Sequence, residues 1–116
     1  MIRKSEEIKA DVYEKRFGGE GTVTMRQLLN GAEEMYEKGR LFAHGTIEVE
    51  SSLGYHVHEN ESETFYILQG TAEYDDNGTK FVVQAGDVTF TAAGEGHGMK
   101  NIGQEPLEYI ALILYK

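Results

Sequence analysis

The sequence predicts an all-β protein, either a barrel or a sandwich of short strands joined by tight turns. Fourteen glycines and one proline divide its 116 residues into short runs. These runs are rich in Val, Ile, Thr, Tyr and Phe, the residues that favour strands. Only "GAEEMYEKGR" (31–40) resembles a helix, and the glycines at its two ends predict a short one. A chain of this length is expected to form one domain over residues 1–116.

The individual strands follow from alternation and from turn signals, taken in chain order. "GTVTMRQLL" (21–29) begins with alternating apolar and polar residues, and "RLFAHGTIEVE" (40–50) alternates throughout. "ETFYILQGTAEY" (63–74) is a longer β-rich run. The Asn-Gly pair in "DDNGT" (75–79) predicts a hairpin after it, because both residues tolerate positive φ. The remaining strands are predicted at 80–84, 88–92 and 105–116.

The composition excludes several classes of function. The chain has 11 basic and 20 acidic residues, a net charge of −9 and no basic stripe, so we expect no nucleic-acid partner. Its longest apolar run, residues 109–115, is far shorter than the roughly 20 residues of a membrane span, so we expect no membrane partner. It contains no cysteine, and its first residues are polar throughout. We therefore expect a cytoplasmic protein.

Two of the four histidines lie in the stretch "YHVHENESETFY", separated by one residue. On a strand, residues two apart project from the same face, so His56 and His58 would lie side by side. A helix would point them about 200° apart, away from any shared ion. Imidazole nitrogen binds Zn, Cu, Fe, Ni and similar ions, but two ligands are too few. The further candidate ligands are Glu59, Glu61, Glu63 and His97.

These residues resemble the two sequence motifs of the cupin superfamily. The first motif has His-x-His, three or four residues, Glu, six residues and Gly. The second has Gly, five residues, Pro, one residue, Gly, two residues, His, three residues and Asn. The matching residues are His56, His58, Glu63 and Gly70 in the first motif, and Gly86, Gly94, His97 and Asn101 in the second. The chain departs from the family at Glu50, where Gly is frequent, and at Ala92, which replaces the proline.

The resemblance implies a double-stranded β-helix, or jelly-roll, barrel with at most one short helix. It implies a single cupin domain, with the motifs in residues 40–116 and additional strands in residues 1–39. Both departures concern turns and leave the ligand positions intact. The motif spacing selects Glu63 among the glutamates and leaves Glu59 and Glu61 to a solvated turn. The metal ligands that the resemblance implies are His56, His58, Glu63 and His97.

The position of Glu63 gives independent support for a cationic partner. On a strand it shares a face with Phe65 and Ile67, and a carboxylate there is costly unless it is paired or bound to a metal. A polar cluster in a barrel that has lost its metal is the alternative. We expect one divalent ion per chain. A nitrogen and oxygen ligand set suits Mn, Fe, Co, Ni, Cu or Zn, and the sequence does not choose among them.

Four further residues are candidates for the wall of a substrate pocket. Arg26 lies between apolar residues and would hold an anionic substrate by a bidentate contact. His44 lies on the polar face of an alternating strand, and Met99 should face the same side as His97. Tyr109 opens the last strand, where its hydroxyl would face the pocket. A surface position is the alternative for Arg26 and His44.

Two functions of different classes remain open at this point. The first is a small metalloenzyme that acts on a compact oxygen-rich metabolite, such as a carboxylate or sugar derivative, by decarboxylase, isomerase or dioxygenase chemistry. The second is a non-catalytic, metal-dependent module that binds or senses a small molecule. The two-barrel oxalate-processing members of the family are much longer than 116 residues, so we do not expect this chain among them.

The last predicted strand suggests how the protein assembles. In "YIALILY" (109–115) both strand faces are apolar, whereas an antiparallel strand with one face in water alternates. Tyr66 and Leu68 add a second apolar stripe that points away from Glu63. Such a surface needs cover, either from the N-terminal segment or from a second subunit. We predict a homodimer packed through the barrel sheets, with the metal pockets opening away from the contact.

Overall fold

The computed structural model describes all 116 residues, Met1–Lys116, as ten strands and one short helix. The strands are β1 (Ala10–Glu14), β2 (Thr22–Leu29), β3 (Gly39–Ile47), β4 (Ser52–Val57), β5 (Glu61–Gln69), β6 (Thr71–Asp76), β7 (Thr79–Gln84), β8 (Val88–Thr91), β9 (Gly96–Asn101) and β10 (Leu107–Tyr115). The helix α1 covers Gly31–Glu34, and two 3-10 turns cover Ser5–Glu7 and Arg16–Gly18. None of these helical segments has the length and apolar character needed to cross a membrane.

The strands form two antiparallel sheets. The six-stranded sheet has the order β1-β2-β3-β10-β5-β8, and the four-stranded sheet has the order β4-β9-β6-β7. β1 and β2 extend the larger sheet at one edge, beyond β3. From β3 onward the chain passes back and forth between the sheets, as in a jelly roll, because β3, β5, β8 and β10 belong to one sheet and β4, the β6–β7 hairpin and β9 to the other. The predicted all-β jelly-roll architecture is therefore confirmed.

The predicted hairpin is present at Asn77 and Gly78. β6 and β7 pair up to Asp76↔Thr79, which leaves Asn77 and Gly78 as a two-residue turn. Both have positive φ, 52° and 99°, as a type I′ turn requires. The backbone N–H of Gly78 donates to the Asp75 carboxylate at 2.8 Å. The local sequence therefore accounts for the type of this turn.

The helix is shorter than the stretch 31–40 suggested. It ends at Glu34, after four residues. Tyr36 and Glu37 then have φ of 53° and 58°, which lie in the left-handed region and end a right-handed helix. The chain turns there and enters β3 at Gly39. The helix therefore serves as a connection between β2 and β3.

The core lies between the two sheets. It is a single cluster of residues from the inward faces of strands in both sheets, namely Val23, Ile47, Leu53, Phe65, Ile67, Ala72, Tyr74, Met99, Leu107, Tyr109 and Ala111. Alternate residues of β5 and β10 are buried, which is the period of a strand with one inward face. This core fixes the inward direction of the neighbouring polar side chains.

The outward face of the six-stranded sheet keeps a large apolar surface. Tyr66 and Leu68 of β5 are each 46% exposed, and Val88 and Phe90 of β8 are 63% and 59% exposed. The N-terminal strand β1 lies at the opposite edge of this sheet from β8. The N-terminal segment therefore does not cover these side chains.

Two glycines of the motifs occupy turns that other residues adopt at a cost. Gly70 lies between β5 and β6 with φ of 98°, and Gly86 precedes β8 with φ of 95°. Side chains rarely adopt φ in this range, so glycine is favoured at both turns. Gly70 thus fixes where β5, the strand of Glu63, ends, and Gly86 fixes where β8 begins, one strand before the strand of His97.

Candidate metal centre

The four predicted ligands come from both sheets. His56 on β4 is paired with His97 on β9, whereas Glu63 lies on β5 of the larger sheet. His58 directly follows β4, and its backbone N–H donates to the Glu95 carbonyl at 3.0 Å. His58, Glu63 and His97 are buried and His56 is half-buried. The jelly roll therefore brings together residues that are far apart in sequence.

The side chains of these four residues, which we term the ligand cluster, converge on one point. Nε2 of His56 and Nε2 of His58 each lie 3.2 Å from Nε2 of His97. Oε1 of Glu63 lies 2.9 Å from Nε2 of His58 and 3.0 Å from Nε2 of His97. All four ligand atoms lie within 4.8 Å of one another. This spacing fits a single small ion in the middle.

The other nitrogen of each imidazole is held by a partner outside the cluster. Nδ1 of His56 lies 2.8 Å from the Gly54 carbonyl oxygen, and Nδ1 of His58 lies 2.6 Å from Glu61 Oε2. Nδ1 of His97 lies 2.6 Å from the Tyr74 hydroxyl, and Thr91 Oγ1 lies 2.9 Å from the same atom. The partners of His56 and His58 are acceptors, so Nδ1 carries the proton and Nε2 is left to bind a metal. The cluster could therefore hold a metal.

The charges around the cluster agree with this chemistry. Burial lowers the pKa of His56 to about 4, so its imidazole is neutral at pH 7. Burial acts to raise the pKa of Glu63, but hydrogen bonds with His58 and His97 outweigh it and lower the pKa to about 2. The hydrogen bond with Glu63 raises the pKa of His58 in turn. A permanently negative carboxylate in this site requires a positive charge beside it, from a proton or a metal ion.

Comparison with known proteins places the chain in a family. A family model described as a cupin domain matches residues 43–113, more than half of the chain. The oxalate-binding protein of Thermotoga maritima is 42% identical over 114 residues, which are 98% of this chain and 93% of that protein. This chain belongs to the cupin superfamily. The predicted membership and the predicted small single-domain cupin are both confirmed.

Solved structures agree with this assignment. The crystal structure of a predicted oxalate decarboxylase from Thermotoga maritima matches this cupin with a TM-score of 0.94 and 41% identity, over 100% of both chains. A polyketide cyclase from Streptomyces resistomycificus matches with a TM-score of 0.76 and 18% identity, over 99% of this chain and 80% of that one. The second likeness shows the fold alone.

One motif residue of this cupin has a structural role. Asn101 is buried, and its Nδ2 atom donates to the carbonyl oxygens of Ile47, Glu48 and Glu105 at 3.0, 3.2 and 2.8 Å. Its Oδ1 atom accepts from the backbone N–H of Gly103 at 2.9 Å. The amide thus satisfies backbone groups at the end of β3, in the loop after it and in the loop before β10. Asn101 therefore belongs to the motif because of these backbone hydrogen bonds and not because it binds a metal.

A cavity of about 500 Å³ opens onto the ligand cluster. His56, His58 and Glu63 lie in its wall together with Phe65 and Tyr109. Another part of the wall, which we term the N-terminal wall, consists of Lys9, Asp11, Tyr13, Arg16 and Phe17. Volumes of roughly 300–1,000 Å³ are typical of small-molecule sites. The cavity is therefore large enough for a ligand that contacts both the cluster and the N-terminal wall.

The structure corrects the predicted positions of Arg26 and His44. Met25 of β2 lines the cavity, so the alternation of the strand turns the adjacent Arg26 to the outer face of the sheet. There its guanidinium donates to the Ser5 hydroxyl at 3.1 Å. His44 is the partner of Arg26 in the β2–β3 register, and its Nε2 atom lies 3.0 Å from Glu108 Oε1. Neither side chain lines the cavity.

The other two predicted pocket residues point inward. Tyr109 lines the cavity and is 1% exposed, and its hydroxyl donates only to Met25 Sδ, at 3.5 Å. Its contact with a substrate stays a prediction. Met99 is buried in the core between the sheets and does not line the cavity. Met99 is therefore corrected from a pocket residue to a core residue.

The solvated position predicted for Glu61 is also corrected. Glu61 is buried and accepts hydrogen bonds from Nε and Nη2 of Arg40 at 2.7 and 2.6 Å, in addition to its contact with His58. The hydrogen bond from Arg40 lowers the pKa of the Glu61 carboxyl. Arg40 and Glu61 thus orient His58 from outside the ligand cluster. The sequence contained a signal for this, because Glu61 lies two residues before Glu63 and so shares its strand face.

Proposed function

We propose that this cupin holds one divalent transition metal ion with His56, His58, Glu63 and His97, and that it binds a small carboxylate such as oxalate at that ion. The observation that carries the proposal is the convergence of three imidazole nitrogens and one carboxylate oxygen at the wall of a cavity. A relative with 42% identity is named an oxalate-binding protein, which supports oxalate as the first ligand to test.

The residues of the chain have separate parts in this function. A bound ion would supply a Lewis acid for carboxylate oxygens. Leu53, Phe65 and Ile113 give the cavity an apolar lining that displaces water from the ligand. The Tyr109 hydroxyl has only a thioether sulfur as acceptor, a weak one, and burial holds the pKa of Tyr109 above its ordinary value. Tyr109 is therefore a neutral hydrogen-bond donor that faces the cavity.

Metal analysis and calorimetry test the proposal together. Purified protein is reconstituted in turn with Mn, Fe, Co, Ni, Cu and Zn, and retained metal is measured by elemental analysis. We expect about one ion per chain from at least one of them. Isothermal titration should then show oxalate binding that disappears after treatment with a chelator. Failure to retain any of the six metals, or oxalate binding that is the same without metal, would contradict the proposal.

Catalysis at the same site is a second candidate. It would take the form of a metal-dependent lyase, isomerase or dioxygenase. The observation that favours it is the presence in the cavity wall, apart from the ligand cluster, of one carboxylate, Asp11, and one neutral hydrogen-bond donor, Tyr109. With oxalate, decarboxylation would take up one proton and release formate and carbon dioxide. Incubation of the metal-loaded protein with ¹³C-oxalate distinguishes the two candidates, because formate appears in the NMR spectrum only if there is turnover.

We also propose that two copies of the chain pack through the outer face of the six-stranded sheet. The register aligns the half-buried side chain of Ile110 and the exposed side chains of Tyr66 and Val88 in one row across three strands. Leu112 and Phe90 lie in the next row, on either side of Thr64. A contiguous apolar surface of this kind is typical of an interface.

Light scattering tests this assembly at high micromolar concentration, where we expect a dimer. Leu112→Asp should split the dimer or unfold the chain, because it places a charge in the apolar surface. Thr79→Asp, on an exposed position of the other sheet, is the matched control and should leave the dimer intact. A monomeric wild-type protein would contradict the assembly.

A further inference from the structure

The cavity contains one cationic side chain that has no acidic partner. Lys9 lies 3.9 Å from Asp11 Oδ1, and Arg40 is held by Glu61. Arg16 forms no ion pair and no side-chain hydrogen bond, although it is half-buried and lines the same cavity. A guanidinium carries five N–H donors that no other group in the chain satisfies here. Its unused donors and its charge distinguish Arg16 from the other two cations.

The Arg16 guanidinium lies close to the ligand cluster. Its central carbon is 3.9 Å from the centroid of the Tyr13 ring and 4.3 Å from the centroid of the Phe17 ring. The Phe17 ring in turn stacks on the His56 imidazole, with the ring centroids 3.8 Å apart and an interplanar angle of 16°. One aromatic ring is therefore in contact with both the guanidinium and a predicted metal ligand, and Arg16 and His56 line the same cavity.

Two charged side chains, Glu63 and Arg16, affect the pKa of the buried Tyr109 phenol. Burial raises the pKa of Tyr109, and the Glu63 carboxylate raises it further. The Arg16 charge acts in the opposite direction. Tyr109, Arg16 and Glu63 all line the same cavity. Arg16 is half-buried and itself lines this cavity, so it is open to the ligand space as well as to solvent.

The turn that carries Arg16 is held in a fixed position. Lys15 and Phe17, on either side of it, have φ of 52° and 54°, a conformation that is costly for bulky side chains. The backbone of this turn packs on β4 so closely that a Cβ atom added to Gly54 would collide with the Phe17 carbonyl group. After the turn, Ser52 and Glu20 exchange backbone and side-chain hydrogen bonds at 2.8 and 2.9 Å. The turn is therefore tied to the strand that carries His56.

We infer that Arg16 is the second anchor of the ligand site, and that the ligand is a small dicarboxylate. One carboxylate would bind at the metal centre, and the other would accept hydrogen bonds from the Arg16 guanidinium. This inference rests on the proposed function, since it needs a metal to bind the first carboxylate. Arginine suits the second position because its planar donors match a carboxylate in a bidentate contact. The pairing of one metal and one arginine selects dianions over monoanions of the same length.

Calorimetry on matched acids tests the inference. The full-length protein is loaded with Co²⁺ and titrated with succinate and butyrate, and then with malonate and propionate, so that each pair shares a chain length. We expect Arg16→Gln to weaken dicarboxylate binding by about tenfold or more, the loss of a charge-assisted contact. Monocarboxylate binding should change by less than about twofold, since it uses only the metal end. Metal content should be unchanged.

Two variants control for charge and for folding. Lys15→Gln removes the same charge from the adjacent residue, which does not line the cavity, and should leave both affinities unchanged. Arg16→Lys keeps the charge without the planar donors and should give an intermediate loss. Thermal unfolding of each variant shows whether it is folded. If Arg16→Gln does not fold, the loss of dicarboxylate affinity is measured with Arg16→Lys.

The outcomes separate this inference from the function on which it rests. A loss confined to dicarboxylates and to Arg16 variants supports the second anchor. If Arg16→Gln weakens the binding of dicarboxylates and monocarboxylates equally, or if Lys15→Gln weakens dicarboxylate binding as much, the second anchor is overturned. Neither result contradicts carboxylate binding at the metal. If the metal-loaded wild-type protein binds none of these acids or oxalate, the proposed function fails and the second anchor fails with it.

Discussion

The ligand cluster and the N-terminal wall border the same cavity, but the sequence specifies them in different ways. The cluster lies on strands of both sheets and directly after one of them, at motif spacing, and each imidazole is fixed by a partner at Nδ1. The N-terminal wall lies on the edge strand β1 and on a turn with left-handed residues, and no motif marks it. We infer that the first region determines whether a metal binds, and the second determines which molecules bind beside it.

The largest expected effect comes from a change inside the ligand cluster. His58→Ala removes one of three imidazole ligands, so we expect metal affinity to fall by more than about 100-fold, since even partners outside the ligand set are worth about 10–100-fold. The barrel should remain folded because its core is separate from this side chain. Elemental analysis and circular dichroism measure the two results. A variant that keeps its full metal content would show that the metal binds somewhere other than the ligand cluster.

A smaller effect is expected one step away from the cluster. Glu61→Ala removes the acceptor that orients His58 and leaves Arg40 without its partner. We expect metal affinity to fall by about 10–100-fold, the usual contribution of such partners. Competition with a chromogenic chelator measures it. Glu59→Ala, an exposed glutamate two residues away, is the matched control, and an equal effect of the two variants would contradict the orienting role.

The smallest effect on the metal is expected from the N-terminal wall. Phe17→Ala removes the ring stacked on His56, a contact of about 0.5–1.5 kcal/mol, so metal affinity should fall less than in Glu61→Ala. Ligand binding should change more than metal binding, because the ring also lines the cavity. Chelator competition and calorimetry compare the two, with the exposed Tyr36→Ala as control. A drop in metal affinity as large as that of Glu61→Ala would mean that the two regions do not have separate functions.

The part of the site that sequence predicts is the part that strand periodicity controls. His56 and His58 project together because residues two apart on a strand share a face, and Glu63 follows from its spacing to Gly70. The same rule places Glu61 beside Glu63, but it was missed because β5 begins at Glu61 and not at residue 63. A strand that began at residue 63 would leave the Glu61 carboxylate in an exposed turn. Because β5 begins at Glu61, this carboxylate points into the barrel.

The rest of the site depends on contacts that no local pattern encodes. In β2 both faces are mixed, so alternation alone did not show that Met25, and not Arg26, faces the cavity. Arg16 and Phe17 reach the site through a turn that packs on β4, about 40 residues later in the chain. Such long-range packing follows from the three-dimensional arrangement of the sheets. Sequence therefore predicted the fold and the ligand cluster, and the structure was needed for the cavity.

The origin of the four ligands in two different sheets has a mechanical consequence. His56 and His97 belong to the four-stranded sheet and are 41 positions apart, and Glu63 belongs to the six-stranded sheet. An ion held by all of them would cross-link the two layers of a protein that has no cysteine for a disulfide. Because only the folded chain assembles this cross-link, free metal at about 100 times its dissociation constant would add about 2.7 kcal/mol to the free energy of unfolding. The melting temperature of the barrel would then rise and fall with the metal supply around it.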